Sequence, residues 1–160
     1  MASSCLVAVL LLCCAVGLQA DVPGPEHVAF AVALKSDSDE AGDIGPLTTD
    51  TRVVFKRVVT NVGGGYDSET GIFTAPVKGL YFVTFTGAAG ATGSLNAAVL
   101  KDGVNMFAIY DNKNHQSSAT NGMAMVMEAG DKLWVTLWAN QRMFDQGRLS
   151  TFSGFLISPM

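Results

Sequence analysis

Apolar side chains recur at every second position in several short stretches of the chain, and turn-forming residues separate these stretches. In residues 28–34 the larger apolar side chains occupy one face of a strand, and alanines occupy the other. Residues 80–85, 133–138 and 152–157 have the same two-residue period, again with apolar side chains on both faces. A period of two is that of a β-strand, and no segment has a convincing helical period. The pattern predicts an all-β domain.

These doubly apolar strands indicate more than one covering layer, because a sheet with one face in water alternates apolar with polar residues. We expect the four strands to form one sheet, covered by an opposing sheet on one face and by another subunit on the other. Small apolar residues tolerated at a surface would explain the alanines but not the tryptophans. The candidates for subunit contact are Trp134, Trp138 and Phe152. The opposing sheet would contain residues 53–61, 95–101, 106–110 and 123–128.

Aromatic rings, an asparagine and a glycine recur at fixed spacing between glycine and proline breaks, at Phe55, Asn61, Tyr66, Phe73, Gly79, Tyr81 and Phe85. This spacing resembles the signature of the complement component 1q globular-domain family, which includes the cerebellins and is related to tumour-necrosis-factor ligands. Two later segments, residues 129–137 and 150–159, are similar to the late strand and closing strand of the family, and the second contains Phe155. One departure is Val83, where the family usually has Phe.

The resemblance implies a ten-strand jelly-roll sandwich that assembles as a compact homotrimer. It also implies that the seven signature residues and Phe155 belong to the core. It covers essentially the whole chain after residue 28, so we expect one globular domain over residues 28–160.

The first twenty residues are typical of a secretion signal. Residues 6–16 are nearly all apolar but too short to span a bilayer, and small residues follow at Gly17 and Ala20. We expect cleavage after Ala20, with Gly17 as the alternative, and a short Pro/Gly lead-in over residues 21–27. The protein would then be secreted and extracellular, without membrane insertion. All three cysteines lie within the signal, so the mature chain would have no disulfide.

Charge and motifs narrow the classes of function. The net charge is −4, and Lys56-Arg57 is the only adjacent basic pair, so nucleic acid is not an expected partner. The two histidines are His27 and His115, and the chain has no nucleophile-elbow or zinc-helix motif. The glycine run at residues 63–65 lacks the lysine of a phosphate loop and predicts a strand bend or bulge. We therefore predict that the protein is not an enzyme.

Calcium is the one cofactor whose binding the sequence leaves undecided, and no other cofactor is expected. Some members of the resembling family bind calcium through an Asp in the loop that corresponds to Asp111 and through an Asp-Gln pair before the next strand. Here Asp111 matches the first position, but Ser117 and Ser118 replace the pair. Neutral hydroxyls are weaker ligands for calcium than carboxylates, so we expect no strong site.

These observations predict a secreted homotrimeric recognition module that binds surfaces or receptors multivalently, in innate immunity. Contacts are expected from the end loops, residues 87–93 and 111–121. The alternative is a cerebellin-like or cytokine-like signalling ligand for a specific receptor. Expected partners are other copies of the chain and a surface ligand or receptor ectodomain. The sequence has no collagen repeat, so the resemblance does not extend to triggering the complement cascade.

Overall fold

The computed structural model of the chain describes Pro25, residues 27–111 and residues 115–160. The predicted signal peptide lies outside the described residues, as does most of the predicted lead-in. The described part of the chain forms thirteen β-strands in two sheets and contains no helix. An all-β domain is therefore confirmed.

The larger sheet has seven strands. They are β1 (Ala29–Ala33), β2 (Gly42–Ile44), β4 (Arg57–Val62), β7 (Gly79–Ala89), β10 (Ser117–Met127), β12 (Met143–Asp145) and β13 (Thr151–Pro159). Their order is β2-β12-β7-β13-β1-β4, and β10 pairs with β7 as well. β7 is therefore the central strand, with β10 along one side and β13, followed by β12, along the other.

The smaller sheet has six strands. They are β3 (Thr51–Val53), β5 (Tyr66–Asp67), β6 (Ile72–Thr74), β8 (Leu95–Lys101), β9 (Val104–Asp111) and β11 (Lys132–Leu137). Their order is β5-β6-β11-β8-β9, and β3 also pairs with β11. Every recorded strand pair in both sheets is antiparallel. The strands number more than the expected ten, partly because the predicted strand 53–61 divides between β3 in one sheet and β4 in the other.

The core lies between the sheets and is rich in aromatic rings. The ring of Phe30 stacks on Phe73 at 4.4 Å between centroids and meets the edge of Phe152 at 4.9 Å. The ring of Phe55 lies 5.9 Å from Phe152 and 6.2 Å from Phe85. All five side chains are at most 2% exposed. Such edge and offset contacts add to the stabilisation that burial of the rings provides.

The predicted assignment of strands to sheets is partly wrong. β1, β7 and β13 share one sheet as expected, but β11 pairs with β8, β6 and β3 in the smaller sheet. Conversely β10, predicted in the opposing sheet, pairs with β7 along its whole length. The alternation of apolar and polar side chains indicates which faces of a strand are covered. The strands that pair with it depend on long-range connections, which the local pattern does not contain.

The glycine run at residues 63–65 forms the turn between β4 and β5. Gly63 and Gly64 have φ values of 80° and 67°, which L residues with a side chain rarely adopt. A Cβ atom on Gly65 would lie 2.6 Å from the ring of Phe73. The run therefore serves a turn and a close approach to the core.

Candidate functional site on the outer face of the larger sheet

Three of the signature residues form one hydrogen-bonded unit that joins the two sheets. The hydroxyl of Tyr66 donates to the carbonyl oxygen of Phe55 at 3.0 Å and accepts from the amide of Phe55 at 3.2 Å. The side-chain amide of Asn61 donates to the carbonyl of Tyr66 and accepts from its backbone N–H, at 2.8 and 3.0 Å. These bonds satisfy buried polar groups, and burial of the Tyr66 hydroxyl raises its pKa to about 12.

The other signature residues are structural as well. Phe73, Tyr81 and Phe85 are at most 1% exposed, and the Tyr81 hydroxyl donates to the Val77 carbonyl at 2.8 Å. Burial also raises the pKa of Tyr81. A Cβ atom on Gly79 would lie 2.6 Å from the carbonyl oxygen of Ser158, so close strand packing requires glycine there. This set of residues holds the fold and presents no reactive group to solvent.

The two faces of β13 are the reverse of what the sequence analysis expected. Phe152, a predicted subunit contact, is 0% exposed and packs in the core between the sheets. Phe155, a predicted core residue, is 49% exposed on the outer face. Gly154 explains the orientation, because a Cβ atom there would lie 2.7 Å from the ring of Phe30. The ring of Phe30 therefore fills the space beside Gly154, on the core side of the strand.

The outer face of the larger sheet is the side that points away from the core. In β7 this face carries Leu80, Phe82, Thr84 and Thr86, because Tyr81, Val83 and Phe85 point into the core. The strand register places residues of β10, β13 and β1 in rows beside them. The outward positions of these four strands are residues 80, 82, 84 and 86; 120, 122, 124 and 126; 151, 153, 155 and, at a bulge, 157 and 158; and 29, 31 and 33.

None of these outward positions carries a charged side chain. One half of the face is apolar, with the rings of Phe82 and Phe155 5.8 Å apart and with Val126 and Ile157 about half exposed at 49% and 51%. The other half carries only small side chains such as threonine, serine and alanine. There the hydroxyls of Thr86 and Thr120 lie 2.9 Å apart and share a hydrogen bond. An uncharged, partly apolar face of this kind is typical of a surface that another protein chain covers.

The two tryptophans lie elsewhere. Trp134 is in β11 of the smaller sheet and Trp138 directly follows that strand, so neither belongs to the strands that carry Phe155 and its neighbours. Both side chains are partly buried within their own chain. The expectation that they contact a second subunit rested on β11 lying beside β7 and β13, and the structure removes that basis.

Asp111, the candidate calcium ligand, is the last residue of β9. Its carboxylate accepts a hydrogen bond from the hydroxyl of Ser117, the first residue of β10. Ser117 thus supplies a hydroxyl to Asp111 and not a second carboxylate. Among the described residues, no group of three or more His, Cys, Asp or Glu side chains is placed to hold a metal ion.

The remaining candidate for chemistry, His115, is exposed, and so is His27. Within the part of the chain that the structure describes, no helix is both long and apolar enough to cross a membrane.

Solved structures share this fold. The globular domain of zebrafish complement 1qA aligns with a TM-score of 0.65 and 21% identity, over 83% of this chain and 99% of that one. Murine APRIL at pH 8.0 aligns with a TM-score of 0.62 and 15% identity, over 82% of this chain and 98% of that one. At these identities the likeness concerns the fold alone. It confirms the predicted jelly roll.

Sequence comparisons agree. Complement C1q tumor necrosis factor-related protein 3 of Mus musculus is 31% identical over 139 residues, which are 85% of this chain and 53% of the relative. The protein of that name from Homo sapiens is 31% identical over 108 residues, 66% of this chain and 44% of the relative. The chain therefore spans about half the length of these relatives. The profile of the C1q domain matches residues 29–157, nearly all of the two-sheet fold, and the chain belongs to the C1q domain family.

Proposed function

We propose that this protein is a secreted, homotrimeric C1q-like recognition module that binds repetitive surfaces multivalently, in innate immunity. The observation that carries the proposal is the uncharged outer face that β1, β7, β10 and β13 form in the larger sheet, centred on Phe82 and Phe155. Members of the family form homotrimers and are generally binding proteins, which supports the same role here.

The outer face suits burial against other copies of the chain. A charged side chain in an apolar contact is costly, and none of the outward positions on β1, β7, β10 and β13 has one. Half-exposed Phe155, Val126 and Ile157 supply apolar area that water would otherwise cover. The threonines and alanines of the other half allow close approach of a partner backbone. In a threefold ring, one patch of each subunit meets a different patch of the next, and the ring closes.

Trimeric assembly would give the protein its affinity. Three identical weak sites on one rigid body can engage a repetitive surface with an avidity that a single site does not reach. The predicted contact ranges 87–93 and 111–121 lie partly within strands, because β7 ends at Ala89 and β10 begins at Ser117. Ligand contacts are therefore proposed for the connecting segments after Ala89 and before Ser117.

Secretion is proposed from the predicted signal at residues 1–20, and the extracellular setting follows from it. Signalling through one receptor is the alternative. The relatives named for C1q and tumour necrosis factor are about twice as long as the matched region, so their activities are not carried over to this chain.

The deciding experiment presents the purified trimer in parallel to whole bacterial and fungal cells and to an array of receptor ectodomains. We expect saturable binding to several kinds of microbial cell, reduced at least tenfold for a monomeric Phe155→Asp variant because avidity is lost. Saturable binding to a single receptor, without binding to cells, would instead establish the signalling role. Equal binding by trimer and monomer would refute multivalency.

A further inference from the structure

A polar cavity of about 440 Å³ lies beside the end of β1, where Arg57 of β4 pairs with Ala33. Its walls are the turn that follows β1, the first residue of β4 and the loop between β12 and β13. Three basic side chains, Lys35, Arg57 and Arg148, line it. A volume of this size is within the range of cavities that hold small-molecule ligands.

Two guanidinium groups in this cavity share one carboxylate. Arg57 pairs with one oxygen of Asp37, and a terminal nitrogen of Arg148 lies 3.9 Å from the other. A guanidinium group matches a carboxylate in geometry and charge, so the two arginines form a binding site for a carboxylate group. In this structure the carboxylate of Asp37, from the same chain, occupies that site.

Asp37 lies on the solvent side of this pair of arginines. Its side chain is 72% exposed, whereas that of Arg57 is 26% exposed. The turn that carries Asp37 is closed by other groups. The amide of Ser36 donates to the Asp39 carboxylate at 2.9 Å, and the amide of Asp39 donates to the Ser36 carbonyl at 3.2 Å. The Asp37 carboxylate can therefore leave the cavity without opening the turn.

Two of the basic residues have unusual features. The Nε atom of Arg57 is buried and has no hydrogen-bond partner among the described residues. A buried donor without an acceptor is rare, because the group gives up its hydrogen bonds to water without replacement. Arg148 has a φ of 72°, a left-handed conformation that costs free energy for a residue with a side chain. Strain of this kind is concentrated at binding sites.

The acidic side chains in the walls are already engaged. Asp145 is 1% exposed and accepts hydrogen bonds from the backbone amides of Lys35, Leu149 and Ser150 at 2.8 to 3.2 Å. Asp39 accepts the amide of Ser36 and pairs with Lys56 at 3.5 Å. Ser36 and Gln146 add neutral polar groups to the lining, which suit the hydroxyls of a ligand.

We propose that this cavity binds a small hydroxylated carboxylic acid of the uronate class, whose carboxylate displaces that of Asp37 and pairs with Arg57 and Arg148. Asp37 acts as an internal competitor that lowers the affinity of the site. Every group in the site comes from a single chain, so ligand binding does not require the proposed assembly.

The test is titration calorimetry of the full secreted protein with D-glucuronate, its neutral methyl ester and inorganic sulfate. Glucuronate is expected to bind saturably, and at least tenfold more tightly to Asp37→Ala, because the competitor is gone. Arg148→Gln and Arg57→Gln are expected to lose at least tenfold in affinity. Arg52→Gln, which removes an exposed arginine of the smaller sheet, serves as the matched control and is expected to bind like wild type.

Three results would overturn the inference. The first is absence of saturable binding by both wild type and Asp37→Ala while circular dichroism shows both to be folded. The second is equal binding of the methyl ester or of sulfate, which would remove the carboxylate preference. The third is an equal loss of affinity in Arg52→Gln, which would indicate a general effect of surface charge. Cell binding by the trimer is measured separately, so failure here leaves the proposed function standing.

Discussion

Phe152 and Phe155 lie three residues apart on β13 and face opposite sides of the larger sheet. Phe152 is fully buried against Phe30 and Phe55, and Phe155 stands half exposed beside Phe82. Successive side chains of a strand alternate between its faces, so an odd separation places the two rings on opposite sides. One ring therefore stabilises the fold of a single chain, and the other is free to contact a second chain.

Removal of the inner ring is expected to destabilise the fold. Phe152→Ala leaves a cavity between the two sheets and should lower the free energy of unfolding by about 3–5 kcal/mol, the usual cost for a buried Phe. Urea unfolding followed by circular dichroism measures this. A loss below about 1 kcal/mol would contradict the central place of Phe152 in the core.

Much of the fold can be predicted from the sequence. The alternation of apolar and polar residues is local, and it predicts the burial of side chains such as Tyr66, Phe73 and Tyr81. It does not state which strands are neighbours, and the predicted sheets of β10 and β11 are therefore wrong. Nor does the sequence decide which face of β13 points into the core. Gly154 indicates it in part, because the ring of Phe30 fills the space where a side chain at that position would lie. The charged cavity has no local signature, because Arg57 and Arg148 come together only in the folded chain.

Stability is expected to fall at alkaline pH because of Tyr66. Burial raises its pKa to about 12 from the ordinary value of 10.0, so the folded state disfavours the ionised form. The stabilisation is fully present below pH 10 and is lost as pH rises towards 12, with a total loss of about 2–3 kcal/mol. The pKa of Tyr81 is raised too, so part of the alkaline loss belongs to that residue.

The measurement is chemical denaturation of wild type and Tyr66→Phe between pH 9 and pH 12. Tyr66→Phe should be less stable at neutral pH, because the backbone groups of Phe55 lose their partner, and should lose less stability as pH rises. Parallel pH profiles for the two proteins would show that ionisation of Tyr66 is not linked to unfolding.

Calcium is expected to have little effect on stability. Ser117 donates its hydroxyl to Asp111, and a neutral hydroxyl is a weak ligand for calcium. For wild type and for Asp111→Asn alike, the melting temperature measured with excess calcium should therefore equal that measured with chelator. A rise of several degrees with calcium in wild type alone would make Asp111 a metal ligand, because a ligand that binds only the folded state stabilises it.

The most direct test of the trimer and its interface is the molar mass of wild type, Phe155→Asp and Val104→Asp in solution, by analytical ultracentrifugation. Val104 is 64% exposed on the smaller sheet and controls for the added charge. We predict three chains per particle for wild type and Val104→Asp, and a folded monomer for Phe155→Asp, because its carboxylate would be buried unpaired in the subunit contact. A monomeric wild type, or a Phe155→Asp protein that remains a folded trimer, would contradict the assignment of the outer face as the interface.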